Sequence, residues 1–145
     1  MGQSVNQTAI LLPFVGTMLL TIVVWSYMYA RRIPFILRNN LTPQQLTPAE
    51  LARLSPSEVA NPSDNLKNLF ELPTIFYATV LYLYVAQQVD GLYLVAAWLF
   101  FAFRVLHSAV HCTFNFVPLR FWLYATSALA LWFMVLRIAW RVFFY

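Results

Sequence analysis

LYLVAAWLFFAFRVLHSAVHC, residues 92–112, is the stretch on which the fold turns. From Leu92 to Phe103 it carries no charged side chain, and as a whole it has the length of one bilayer-crossing helix, about 20 mostly apolar residues. Its second half is different. Arg104, His107, Ser108 and His111 stand at i, i+3, i+4 and i+7, which places them on a single face of a helix. An ionisable side chain inside an apolar span faces a protein interior or a wet cavity, and its first reading is functional.

Working outward, three further apolar blocks of similar length run over residues 9–30, 66–86 and 121–144. The composition agrees: 61% hydrophobic, 18% aromatic and 10% charged residues, where soluble chains average about 25% charged. Disordered chains are poor in aromatics and rich in charge, so disorder is excluded too. The blocks do not alternate as barrel strands do. The expected fold is therefore an all-α membrane protein, a bundle of four transmembrane helices in one domain over residues 1–145.

The first block resembles a signal peptide only superficially. Met1 to Thr8 has no charged side chain, and the apolar run outlasts an h-region of about 7–15 residues; a retained helix is expected. Cys112 is the only cysteine, so no intrachain disulfide can form. Residues 31–65 read as one long polar loop broken by Pro34, Pro43, Pro48, Pro56 and Pro62, with a short helix start at Thr47-Pro48-Ala49-Glu50 and a turn at Ser55-Pro56-Ser57-Glu58.

Basic residues orient the bundle. Arg31, Arg32, Arg38, Arg53 and Lys67 flank the first connection and Arg120 ends the third, against Arg137 and Arg141 near the C-terminus. The positive-inside rule puts the first and third connections in the cytoplasm and the termini on the opposite side. The net charge of +4 describes a rim that attracts membrane lipids or an anionic substrate, with no nucleic-acid surface.

Asp64, Asn68 and Glu71 recur at i, i+4 and i+7 on the second helix, so carboxylate, amide, imidazole and guanidinium groups are expected together at the cytoplasmic end. Each also has a structural reading. Glu71 and Arg104 could form an ion pair, Asn68 an interhelical hydrogen bond, and Arg31, Arg32 and Arg120 could snorkel to headgroups. The tyrosines and tryptophans suit an interfacial belt or packing. His107 and His111 are spaced to grip a metal from one helix face, but a catalytic zinc site takes three protein ligands and no third histidine exists; no metal is expected.

The run Asn65-Leu66-Lys67-Asn68-Leu69-Phe70-Glu71-Leu72-Pro73 resembles the Asn-x-x-Glu signature of the MAPEG superfamily, the membrane-associated proteins in eicosanoid and glutathione metabolism. Arg104 to His111 followed by Arg120, and Ala30-Arg31-Arg32, are similar to further motifs of that family. The resemblance spans nearly the whole chain. It implies a homotrimer that binds glutathione as co-substrate between subunits. Arg31, Arg32 and Arg104 would meet its carboxylates, Asn68 and Glu71 its amino group, and His107 would belong to the same site. Arg120 would stabilise the thiolate, which then attacks a lipophilic small molecule, an electrophile or hydroperoxide. Asp64 stands where active members usually carry arginine, and His111 where they often carry tyrosine, so His111 would act as donor in tyrosine's place. These departures point to a bacterial-type branch, hence a bacterial inner membrane rather than an endoplasmic reticulum. The other reading is a non-catalytic membrane trimer of this architecture that binds a lipid or small molecule.

Overall fold

The computed structural model describes residues 5–144. Among them every regular element is a helix: α1 (Leu11–Arg38), α2 (Pro48–Leu54), α3 (Ser57–Leu69), α4 (Leu72–Val85), α5 (Gly91–Cys112) and α6 (Val117–Phe144), with single 3-10 turns at Gln7–Ile10 and Pro43–Leu46. Four stretches are long and apolar enough to cross a membrane: Gln7–Arg38, Ser57–Val85, Gly91–Cys112 and Val117–Phe144.

The region expected as a polar loop over residues 31–65 is largely helical. α1 runs through Pro34 to Arg38, about two turns beyond the expected end at residue 30. The run Ile33, Phe35, Ile36 and Leu37 keeps it helical, and it stops where Asn40 takes a left-handed φ of 48°. The Leu41 N–H then reaches back to the Ile36 carbonyl, a closure that asparagine tolerates better than other side-chain-bearing residues. α2 and α3 follow, each opened by proline and bearing glutamate in its first turn. α3 buries Val59, Pro62, Asn65 and Leu69, a spacing of three or four that gives one inward face. The polar composition of this region marks an amphipathic surface helix.

The second crossing is therefore α3 and α4 in series rather than one helix over residues 66–86. Pro73 has no N–H to give the Leu69 carbonyl, and α3 ends at Leu69. Glu71, at φ −90° and ψ −100°, sits in the break.

α5 carries the organising stripe. Tyr93, Ala96, Ala97, Phe100, Arg104, His107, Ser108 and His111 are all buried, recurring every three or four residues along one face. The half before Arg104 is apolar, with Phe100 stacked on Phe76 at 4.2 Å among Ile10, Val80, Leu83, Leu131 and Met134. The other half is polar. Outward faces stay apolar, as at Leu19 and Val23 of α1 and Leu129 and Leu136 of α6, which suits lipid as the surrounding solvent.

Close approach of α1 to α5 depends on Gly16. A Cβ there would lie 2.9 Å from two ring atoms of Phe101, and small residues at membrane helix contacts allow such approach. Gly16→Leu is expected to destabilise by about 1–3 kcal/mol through overpacking. It should appear as a lower thermal midpoint in detergent, and Gly16→Ala should cost less. An unchanged midpoint in Gly16→Leu would mean the helices separate freely.

The end of the bundle bearing the described N-terminal residues is tied by polar bonds. Gln7 clamps Val89, its Nε2 donating to the Val89 carbonyl and its Oε1 accepting from the Val89 N–H, both at 2.9 Å. Asp90 caps α5 by accepting from the N–H groups of Leu92 and Tyr93. It also accepts both Nη groups of Arg137 at 2.7 Å. The Arg137 hydrogen bonds hold its carboxyl at about 2, against the opposing effect of burial and with help from the Tyr93 N–H and the charges of Arg137 and Arg141. The folded carboxyl thus titrates below the ordinary value of 3.8, so its stabilisation is full above the ordinary range and is lost as pH falls through about 2. The thermal midpoint should consequently drop more steeply on acidification below about pH 5 in the wild type than in Asp90→Asn, which keeps a capping oxygen. Equal slopes would show that no proton uptake is linked to this bridge.

Candidate functional site

Beyond Phe100 the buried stripe of α5 meets the polar face of α3. That face is Asn61, Asn65 and Asn68, one turn apart. Asn65 is wholly buried; its Oδ1 accepts from Ser108 Oγ at 3.3 Å and its Nδ2 donates to Cys112 Sγ at 3.4 Å. Asn61 Oδ1 accepts from Asn115 Nδ2 at 3.0 Å. Asn115, at a left-handed φ of 46° in the turn between α5 and α6, in turn accepts Arg120 Nη1 at 2.7 Å. Two asparagines in series, Asn61 and Asn115, thus hold the Arg120 guanidinium at the first turn of α6.

Arg104 is 0% exposed. One of its Nη groups donates to the Asn68 carbonyl, near the end of α3 where carbonyls lack helical partners and the helix dipole is negative. Its guanidinium carbon lies 5.3 Å from the centre of the Tyr124 ring, within reach of a cation–π attraction. Its Nε and other Nη are buried with no hydrogen-bond partner among the described residues.

The imidazoles complete the cluster. His107 Nδ1 is 3.0 Å from the Arg120 carbonyl; a carbonyl only accepts, so this nitrogen carries the proton and Nε2 is left with a lone pair in the neutral ring. His107 and His111 pack edge to face at 5.5 Å. His107 Nε2 and His111 Nδ1 are both buried without a hydrogen-bond partner among the described residues. Among the described residues no group of three or more His, Cys, Asp or Glu side chains converges on one point.

The structure thus brings together Arg104, His107, His111 and Arg120, and adds the Asn68 backbone. It does not bring in the other expected residues directly. Arg31 pairs with Glu58 at 2.8 Å and Arg32 donates to Ser63 at 2.7 Å, both on α3 and neither to the cluster. Asp64 keeps its one-turn spacing to Asn68 on α3, but not the shared register with Glu71. It is exposed and paired with Lys67 on its own helix at 2.9 Å. Glu71 lies past the helix break, so the spacing that would align it with Asp64 on an unbroken helix does not apply. It is exposed, and among the described residues the ion pairs do not include one between Glu71 and Arg104.

Four contributors were not anticipated as site residues: Asn61, Asn65, Asn115 and Tyr124. Tyr124, read from sequence as belt or packing, lies against Arg104 and His107. The three asparagines had a weak signal in advance, being amides placed where an amphipathic helix and a turn face an apolar span.

Beside the helix break an apolar groove of about 420 Å³ opens between α1, α3 and α4, lined by Met18, Thr21, Ile22, Trp25, Leu69, Phe70 and Tyr77. It flanks the segment that carries Glu71.

Comparison with known proteins gives a match to the family model described as MAPEG family over residues 10–140. No curated protein and no solved structure matches.

Proposed function

The chain belongs to the MAPEG family, and from that premise we propose that it is a glutathione-dependent membrane transferase or peroxidase acting on lipophilic electrophiles or hydroperoxides. The observation that carries this reading is the buried Arg104 with two side-chain nitrogens lacking partners among the described residues, together with the Arg120 guanidinium that Asn115 holds in place. Buried donors without acceptors cost about 1–3 kcal/mol each, so an anion that accepts from them is bound favourably. Glutathione supplies carboxylates for such donors and a thiol that becomes an anion.

In this reading Arg104 meets a carboxylate of the tripeptide, and Arg120 stabilises its thiolate. Glu71, exposed at the helix break, and Asn68 take its amino group. Arg31 and Arg32 complete the carboxylate contacts across a homotrimer interface, where Arg31 exchanges Glu58 for the ligand. His107 orients Arg120 through the backbone, and His111 supplies a proton donor or acceptor. The lipophilic partner enters from the bilayer through the groove at Phe70 and Tyr77. A thiol of pKa near 8.5 is only about 3% ionised at pH 7, and a cation beside the sulfur in a site shielded from water raises that fraction. The first and third connections face the cytoplasm, in a bacterial inner membrane, where glutathione is available to the site.

Calorimetric titration of the detergent-solubilised oligomer with glutathione tests the reading, together with turnover of a chromogenic electrophile. Saturable binding with turnover supports it. Absence of both would leave the non-catalytic membrane trimer, with the apolar groove as its binding surface.

A further inference from the structure

At the other end of the bundle α6 brings Arg137 and Arg141 against Asp90. This place is remote from the cluster just described: at 1.5 Å per residue it lies about 20 Å along α5 from Arg104. Asp90 takes Arg137 through both Nη groups and Arg141 through one, at 3.2 Å. One carboxylate thus faces two guanidiniums, so among the described residues this cluster carries one net positive charge. Both guanidinium carbons lie over the ring of Tyr93, at 4.4 and 5.4 Å; that ring is wholly buried and its hydroxyl has no partner among the described residues.

Beside this group runs a cavity of about 540 Å³ lined by Gln88, Arg137, Trp140 and Arg141. The Gln88 side-chain oxygen is also buried without a partner among the described residues. The cavity thus offers a guanidinium for an anion and an acceptor for a hydroxyl. Exposed apolar rings of Trp140, Phe143 and Phe144 continue from it along the last turns of α6.

We propose that this cavity binds the headgroup of an anionic phospholipid that bears a free hydroxyl, such as phosphatidylglycerol. The phosphate meets Arg141, the headgroup hydroxyl donates to Gln88, and the acyl chains lie along Trp140 and the phenylalanines. Tryptophan at the level of the headgroups is the usual anchor at such a depth, and a membrane helix end is where a lipid phosphate is found. A free phosphate ion offers the same charge but has no use for the apolar rings.

Native mass spectrometry of the full-length protein, released from detergent after addition of phosphatidylglycerol or phosphatidylcholine, tests this. Wild type should retain phosphatidylglycerol several-fold over phosphatidylcholine. Arg141→Gln leaves the paired bonds between Arg137 and Asp90 in place and should lower that preference about five-fold, the factor corresponding to roughly 1 kcal/mol per arginine at an anionic surface. Gln88→Met, which touches no ion pair, should lower it as well and serves if Arg141→Gln does not fold. A wild type without preference overturns the proposal. So does a preference unchanged in a folded variant. Removal of the preference by millimolar inorganic phosphate would show a soluble anion to be the ligand and overturn the lipid assignment.

Discussion

Arg120→Ala is expected to leave the protein folded and to lower kcat/KM toward a chromogenic electrophile by about 10²–10³-fold, the scale of removing one preorganised donor from a developing or resting anion. The fold should survive because Arg120 lies in the first turn of α6 and is only half-buried. What His107 bonds is its backbone carbonyl, which alanine retains. The loss should depend on pH in a stated direction. Without the cation the thiol must ionise unaided, so the deficit is largest near neutral pH and shrinks as pH rises past about 8.5. Arg120→Lys keeps a charge but not the planar fork that Asn115 holds, and should recover part of the rate. Asn115→Ala should give a smaller loss, falling on kcat more than on KM, with rescue by Asn115→Asp, which restores the acceptor. Stopped-flow rates and thiolate absorbance across pH check all of these. Turnover and pH profile unchanged in Arg120→Ala would remove Arg120 from the chemistry and leave no cation positioned for the thiolate.

Much of this arrangement could be read in advance, because charge is scarce in an apolar chain. Arg104, His107 and His111 stand out at helical spacing within residues 92–112, and each costs enough in a bilayer to need a purpose. Four apolar crossings were legible from block length alone, and all four are present as candidate spans. Three kinds of feature were hidden. Polar composition does not distinguish a loop from an amphipathic surface helix, so α3 was concealed within residues 31–65. An extrapolated helical face also fails wherever the helix breaks, and Pro73 ends that register between Asn68 and Glu71. Pairings of neutral amides were hidden as well: Asn61 with Asn115, and Asn65 with Ser108, depend on distant elements meeting. Asp64 illustrates the reverse. It stands where active members of the family usually carry arginine, yet it is exposed and paired with Lys67 one turn away.

Arg104→Met is expected to do two opposite things: keep or raise the thermal midpoint of the unliganded protein, and weaken glutathione binding by at least about 30-fold. The first follows from weighing what the guanidinium gains in place. It makes one charged hydrogen bond, to the Asn68 carbonyl, worth about 1.5–3 kcal/mol, and a contact with Tyr124 worth about 0.5–2 kcal/mol. Against these stand two buried N–H groups without partners at about 1–3 kcal/mol each, and the several kcal/mol of removing a charge from water. Methionine fills comparable space, carries no charge and adapts its shape; replacing buried charge with apolar volume is often neutral or stabilising. The second follows from the ligand. Truncating one partner of a buried charge pair costs about 2–5 kcal/mol, and the lower figure already corresponds to about 30-fold in Kd. Arg104→Lys should bind better than methionine but below wild type, since lysine keeps the charge without the fork. Calorimetry and thermal unfolding on the same detergent preparations read both halves. A lower midpoint with unchanged glutathione affinity would make Arg104 a clamp on the end of α3 and nothing more. A retained midpoint with lost affinity is the pattern of a side chain kept at a cost to stability because the ligand needs it.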